Sequence, residues 1–240
     1  MAPPQALTVD FWNTLVVAQA NGPARRARRL AHLQAVVARH QGTSVPEDRI
    51  EAALVATVRR FESIWKTRHQ TPGADAIVRD LWPRLHVDVD EEEHRETVRI
   101  FEEGILEHPP ALVEGAAQVL RRTAERYPLA LISDTMFSPG RVIRQLLDRY
   151  ELLPCFRAFV FSDETGFSKP DVRAFHRAAE ALSVRPEALL HVGDLRRTDV
   201  AGALAAGARA VLFTGVHTDT EPAPEPHHVL TDWRDLPDLL

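Results

Sequence analysis

The chain has 240 residues, 45% of them apolar, and 29 basic against 34 acidic side chains give a formal charge of −5. That length suits one large domain or a core with an accessory unit, and that charge excludes the basic footprint of a nucleic-acid binder. One cysteine, Cys155, permits no intrachain disulfide, no run approaches the roughly 18 apolar residues of a membrane span, and MAPPQALTVD has no basic-then-apolar leader. A soluble, cytoplasmic chain is expected.

Ala6–Leu15 begins with a short run of β-formers that ends on one carboxylate, Asp10, before the turn-prone Asn13–Thr14. A buried strand delivering an acid to its C-terminal end is where open α/β sheets hold ligands, although a lone Asp there also serves as a cap or turn residue. The next segment, about Val17 to His108, reads as four helices: Ala24–His40, Pro46–His69, Ala74–Leu85 and Asp90–Leu106. Ile50, Leu54, Val58, Phe61 and Trp65 make the clearest three-to-four residue stripe. The acidic run Asp88–Glu93 lacks the Gly and spaced ligands of a calcium loop. Asp90 as N-cap with Glu93 three residues on reads instead as a capping box. Arg25, Arg28 and Arg29 share a face of the first helix, expected to be solvated; the other option is a cleft where they meet an anion.

From Pro109 the pattern alternates between helix and strand, the signature of a parallel sheet. Helices are expected at Glu114–Tyr127, Pro139–Tyr150, Asp171–Leu182 and Asp199–Ala206, the last closed by Gly207. Strands are expected at Leu129–Ile132, Ala158–Phe161, Ala188–Val192, Ala210–Phe213 and His228–Leu230. The Pro-rich stretch Thr218–Pro226 carries no chemistry that its composition reveals. His191 falls on a buried strand position and reads as a core histidine.

Three later stretches give Asp10 its context: LALISDT (Leu129–Thr135), SKPD (Ser168–Asp171) and LLHVGDLRRTD (Leu189–Asp199). In order they supply a hydroxyl, an ammonium and a carboxylate pair near strand ends. Lys66 and Lys169 are the only lysines, so a Lys in SKPD stands where this Arg-biased chain chose a compact point charge. The four motifs, from Ala6 to about Phe213, resemble the haloacid dehalogenase-like (HAD) superfamily. The resemblance implies a doubly wound parallel, Rossmann-like α/β core (residues 1–16 and 109–240) with an α-helical cap (17–108) inserted after the first strand. It implies hydrolysis of a small phosphorylated metabolite through an aspartyl-phosphate on Asp10, with Mg2+ held by Asp10, Asp194 and the Trp12 carbonyl. Thr14 would steady Asp10, Ser133 hold a phosphoryl oxygen, Lys169 neutralise charge, and Asp199 orient a water or Lys169 (its other reading being an N-cap).

Trp12 departs from the pattern. The family's phosphatases carry a second Asp there, which protonates the leaving oxygen and deprotonates the attacking water; indole does neither. General acid–base help is worth roughly 10²–10⁴-fold, so leaving groups that need no proton are favoured, and Asp134 is a weak substitute. A metal-independent 2-haloacid dehalogenase, a phosphonate-cleaving enzyme with Lys66 as imine former, and a phosphate-binding member with little turnover are the alternatives. Substrate identity and oligomeric state are not legible.

Overall fold

The computed structural model describes residues 3–240, so the first two residues of the expected 1–16 segment lie outside the described region. The chain opens with β1 (Ala6–Val9) and a short β2 (Val16–Val17). Four helices follow: α1 (Gly22–Gln41), α2 (Glu47–Arg68), α3 (Ala74–Leu85) and α4 (Glu91–Glu107). Then come β3 (Ala111–Leu112), α5 (Ala116–Ala124), β4 (Leu129–Ser133), α6 (Gly140–Arg149), β5 (Phe156–Phe161), α7 (Ser162–Thr165) and α8 (Val172–Ala181). The last elements are β6 (Leu189–Gly193), α9 (Ala201–Ala205), β7 (Arg209–Phe213) and β8 (His228–Leu230).

Six strands form one parallel sheet in the order β5-β4-β1-β6-β7-β8. The chain runs outward from β1 through β4 to β5, then returns to β6 and runs outward the other way. The order therefore reverses beside β1, and an open sheet leaves a crevice at the carboxyl ends of its strands at such a switch. Side chains of a strand alternate between faces. Leu7, Val9, Leu131 and Val192 accordingly pack under α5, α6 and the C-terminal turn Trp233–Leu239. Ala6, Ala130, Ile132 and Leu189 pack against Phe175 and Ala178 of α8 and Ala203 of α9 on the other face.

The four helices between β2 and β3 have an apolar core of their own, including Leu33, Ile50, Ile77, Leu81 and Phe101. Met136 and Phe137, from the loop after β4, pack against it. The two strands that lead into and out of this helical unit, β2 and β3, pair antiparallel. This pair was not expected from sequence; two-residue strands carry no readable period. Asp90 does cap α4, accepting from the N–H groups of Glu92 and Glu93 at 3.0 and 2.9 Å. The reciprocal half of the box is missing, because Glu93 turns to Arg39 (2.5 Å) and His40 (2.6 Å) on α1. Among the described residues no helix is long and apolar enough to cross a membrane.

Candidate active site

Asp10 follows β1 directly, and its N–H donates to the Val192 carbonyl of neighbouring β6 at 2.9 Å. Asp194 follows β6. Adjacent parallel strands thus bring two carboxylates, 184 positions apart in sequence, to the switch-point crevice; both line one cavity of about 610 Å³. The loop after Asp10 turns back through Asn13 at φ 52°, a left-handed conformation that Asn tolerates. Thr14 Oγ1 donates to Asp10 Oδ2 across a long 3.4 Å.

Lys169 is buried at 2% exposure. Its Nζ donates to Asp10 Oδ1 at 2.6 Å, Asp199 Oδ1 at 2.5 Å and the Ile132 carbonyl at 3.1 Å. Asp199 also accepts from Leu195 N–H at 3.0 Å, Thr198 Oγ1 at 3.2 Å and His191 Nε2 at 3.0 Å. The carboxylate can only accept, so His191 carries its proton on Nε2 and takes the Thr8 hydroxyl on Nδ1 at 2.9 Å. His191 is fully buried, as expected of a core histidine. Asp199 is not an N-cap: it lies inside a wide helical turn, Arg196–Val200, that starts before the expected helix, and its side chain reaches back to Leu195 N–H. Gly193 makes room for it, since a Cβ there would stand 2.3 Å from Asp199 Cγ.

The electrostatics of the cluster are lopsided. Burial would lower Lys169, but Asp10, Asp199 and Asp134 outweigh it and keep the ammonium charged. Burial would raise Asp199, but Lys169 and His191 hold it well below the usual carboxylate range. Asp10 shares that one ammonium with its neighbours and is left under-neutralised, so burial carries it upward despite its ion pair. Asp194 is raised by burial and then by Asp10 and Asp199. The ring Nδ1 of His217 stands 3.5 Å from it. Four carboxylates, Asp10, Asp134, Asp194 and Asp199, face one lysine. Among the described residues no group of three or more His, Cys, Asp and Glu is disposed to hold a metal. Mg2+ needs few protein ligands, however, usually one or two carboxylates beside several waters. The under-neutralised pair Asp10 and Asp194 fits that demand.

The remaining expected residues divide. Trp12 lines the cavity, its ring edge-to-face with Phe11 at 5.0 Å. Ser133 ends β4 as expected, buried and with Oγ unpartnered, but the cavity wall there is made by Asp134 and Thr135. Asp134, the weak substitute acid, already accepts from Trp65 Nε1 at 2.8 Å and Lys169 N–H at 3.0 Å. Lys66 is exposed, 3.9 Å from Glu221, and does not line the cavity.

The solvated arginine face does not hold. Arg25 is buried, with its guanidinium spent on the carbonyls of Ala18 (2.5 Å) and Ala20 (2.9 Å) in the turn into α1 and of His108 (2.8 Å) just past the end of α4. Arg28 pairs with Glu107 at 2.6 Å, and Arg29 lies over Phe137, its Cζ 4.0 Å from the ring centroid.

Sequence reasoning missed Trp65, Phe137, Ser138 and His217 on the cavity wall. Trp65 was visible as part of an apolar stripe; nothing in that stripe says its indole reaches Asp134. His217 had the signal of following a strand end. The Pro-rich loop after it is fastened beside Asp194 by Arg196, whose N–H donates to Asp219 at 2.6 Å and whose Nη2 donates to Glu225 at 2.7 Å.

The sheet order and the strand-end carboxylates define a doubly wound α/β core with a site at its switch point. The chain belongs to the haloacid dehalogenase-like hydrolases: the sequence model of that family matches residues 4–207. It is similar to a phosphoserine phosphatase of Thermus thermophilus, 29% identical over 193 residues that cover 73% of this chain and 72% of the relative. It is also similar to a phosphoglycolate phosphatase of Cereibacter sphaeroides, 38% identical over 128 residues, 52% of this chain; that match spans 56% of the relative, little more than half its length. A solved 2-haloacid dehalogenase from Pseudomonas syringae pv. Tomato superposes with a TM-score of 0.75 at 22% identity, covering 98% of this chain and 97% of that one. At such identity the likeness is one of fold.

Proposed function

We propose that this hydrolase is a Mg2+-dependent phosphohydrolase acting on a small phosphorylated metabolite through an aspartyl-phosphate on Asp10. The observation that carries the reading is Asp194 beside Asp10, two buried carboxylates whose charge one lysine does not balance. Asp10, Asp194 and the Trp12 carbonyl would hold a Mg2+ ion, which would supply the missing positive charge and screen the transferring phosphoryl oxygens.

The chain's own residues do the rest. Asp10 attacks phosphorus, the bond from phosphorus to the leaving oxygen breaks, and the leaving group departs with the electron pair. Water then cleaves the acyl phosphate, releasing phosphate and restoring the carboxylate. Lys169 neutralises Asp10 and the incoming phosphoryl group, and Asp199 holds Lys169 in place. Thr14 steadies Asp10, while the unpartnered hydroxyl of Ser133 lies behind the wall that Asp134 and Thr135 make. With Trp12 unable to donate a proton, acyl and aryl phosphates are better substrates than alkyl phosphates. The four-helix unit, residues 17–108, acts as the cap: its Trp65 closes over Asp134, and the Arg197 guanidinium stacks on that indole at 4.3 Å.

A second reading, halide displacement by Asp10, draws on the aromatic Trp12 in the cavity wall. Assays of acetyl phosphate, p-nitrophenyl phosphate and a 2-haloacid, each with and without EDTA, separate the two. Phosphate release abolished by EDTA supports the first, and halide release indifferent to EDTA supports the second. No turnover of any substrate contradicts both.

A further inference from the structure

Three arginines line the cavity: Arg25, Arg26 and Arg29. Arg25 is saturated by three carbonyls, and Arg26 is paired with Glu51 at 2.5 Å. Arg29 differs. Among the described residues it has no acidic partner within ion-pair distance; its one hydrogen bond is a long 3.4 Å from Nη2 to the Phe101 carbonyl. Its Nε is sealed from solvent and has no partner at all. Phe137 and Phe101, themselves edge-to-face, pack against the guanidinium, with ring centroids 4.0 and 5.6 Å from Cζ. Burial, with Arg25 and Arg26 nearby, pushes its pKa down to about 10, which still leaves it charged at neutral pH.

A second group on the same wall is in the same condition. Ser138, adjacent in sequence to the Phe137 beneath Arg29, is 3% exposed, and its buried Oγ has no partner. Two unused donors from different parts of the chain, α1 and the loop after β4, therefore border one cavity. Buried polar groups without partners are costly, and a guanidinium more so than a hydroxyl. Neither Lys169 nor Asp194 relieves them, because these are engaged in the cluster around Asp10.

We infer that Arg29 and Ser138 form an anion subsite that takes a carboxylate, so that the substrate is a small phosphorylated carboxylic acid. This rests on the phosphohydrolase reading and adds the substrate class to it. A planar guanidinium fork matches a carboxylate in two parallel hydrogen bonds. One guanidinium packed against a pair of phenyl rings balances one negative charge; a phosphate dianion would leave a second charge facing Phe101 and Phe137. Trp12, Ile105 and Met136 supply apolar wall for a short carbon skeleton.

The test is calorimetric and needs no turnover. In the presence of Mg2+, alkylphosphonates are compared with ω-carboxyalkylphosphonates of equal length, from about one to four methylenes, enough to bracket a small-metabolite span in a pocket of this class. At the matching length the carboxylate should tighten binding about tenfold or more, the usual worth of a charge-assisted pair. In Arg29→Gln that ratio should fall to about one, and in Ser138→Ala it should fall in part. If Arg29→Gln does not fold, Arg29→Lys and Ser138→Ala carry the test, and each must lower the ratio. A ratio near one at every length in the parent protein, or a ratio undiminished in the variants, overturns the subsite alone. No binding of any phosphonate, carboxylated or not, overturns the phosphohydrolase reading and the subsite with it.

Discussion

Lys169 Nζ stands 2.6 Å from Asp10 Oδ1, and on its other side it is 2.5 Å from Asp199 Oδ1. One ammonium is thus the shared counterion of two carboxylates that are almost wholly removed from water. Removing one partner of a buried ion pair leaves the other charge uncompensated, at a cost of about 3–5 kcal/mol. Lys169→Met should therefore lower the unfolding free energy by that order in urea titrations, and it should abolish phosphate-ester turnover. A variant as stable as its parent would show that Asp10 and Asp199 find other partners.

His191 predicts how stability depends on pH. Burial holds its pKa below the ordinary imidazole value, although Asp199 pulls the other way. The fold therefore favours neutral His191, while the unfolded chain takes up a proton below about pH 6.5. Its contribution is complete above that value and is lost as pH falls toward the depressed folded pKa. Asp10 and Asp194, both raised by burial, gain stability over the same fall in pH, so the His191 part is read as a difference: from about pH 7.5 to 5 the thermal midpoint of His191→Gln, which does not titrate, should rise relative to that of the parent. A difference that stays constant or falls over that interval would remove His191 from the account.

Trp12 predicts a gain. Trp12→Asp places a carboxyl two residues after Asp10, where a proton donor to the leaving oxygen is missing. Turnover of an alkyl phosphate should rise, by at most about 10²–10⁴-fold, with a smaller change for acetyl phosphate, whose leaving group needs no proton. Steady-state kinetics on the two substrates measure the ratio. An unchanged alkyl-phosphate rate would mean that another group already supplies the proton.

Arg25 predicts a structural loss. Arg25→Gln strands the carbonyls of Ala18, Ala20 and His108 at the junction between the sheet and the helical unit. Each unsatisfied group costs about 1–3 kcal/mol, so the melting temperature should fall by several degrees even if part of the bonding is taken over by water. A neutral substitution would return Arg25 to the solvated face expected from its helical spacing.

What the sequence made legible follows from the range of the forces involved. Strand ends and helix faces are written in local periodicity, so Asp10, Asp194 and the six parallel strands could be located before their neighbours were known. Lys169 was legible for a different reason: a rare residue in a short loop stands out when every other cation nearby is Arg. Long-range pairings of side chains leave no local trace. The spacing of Arg25, Arg28 and Arg29 shows that they share a face, but not that Arg25 is drawn inward by three carbonyls or Arg29 by Phe137. For Asp199 the reading that it orients Lys169 agrees with their 2.5 Å contact, and only the alternative N-cap fails: an Asp ahead of an apolar helical stretch is indistinguishable from an N-cap until Leu195, His191 and Lys169 are seen converging on it. Ser133 shows the limit of strand-end reasoning, since its neighbours Asp134 and Thr135 make the wall instead.

The central claim is that Asp10 itself takes the phosphoryl group. The direct measurement is an acid quench during steady-state hydrolysis of p-nitrophenyl phosphate with Mg2+, followed by peptide mass analysis. The account predicts one phosphoryl group on the peptide carrying Asp10, removed by hydroxylamine and absent from Asp10→Asn, which should be inactive. Hydrolysis that proceeds in Asp10→Asn, or a phosphoryl group captured on another residue, would contradict it.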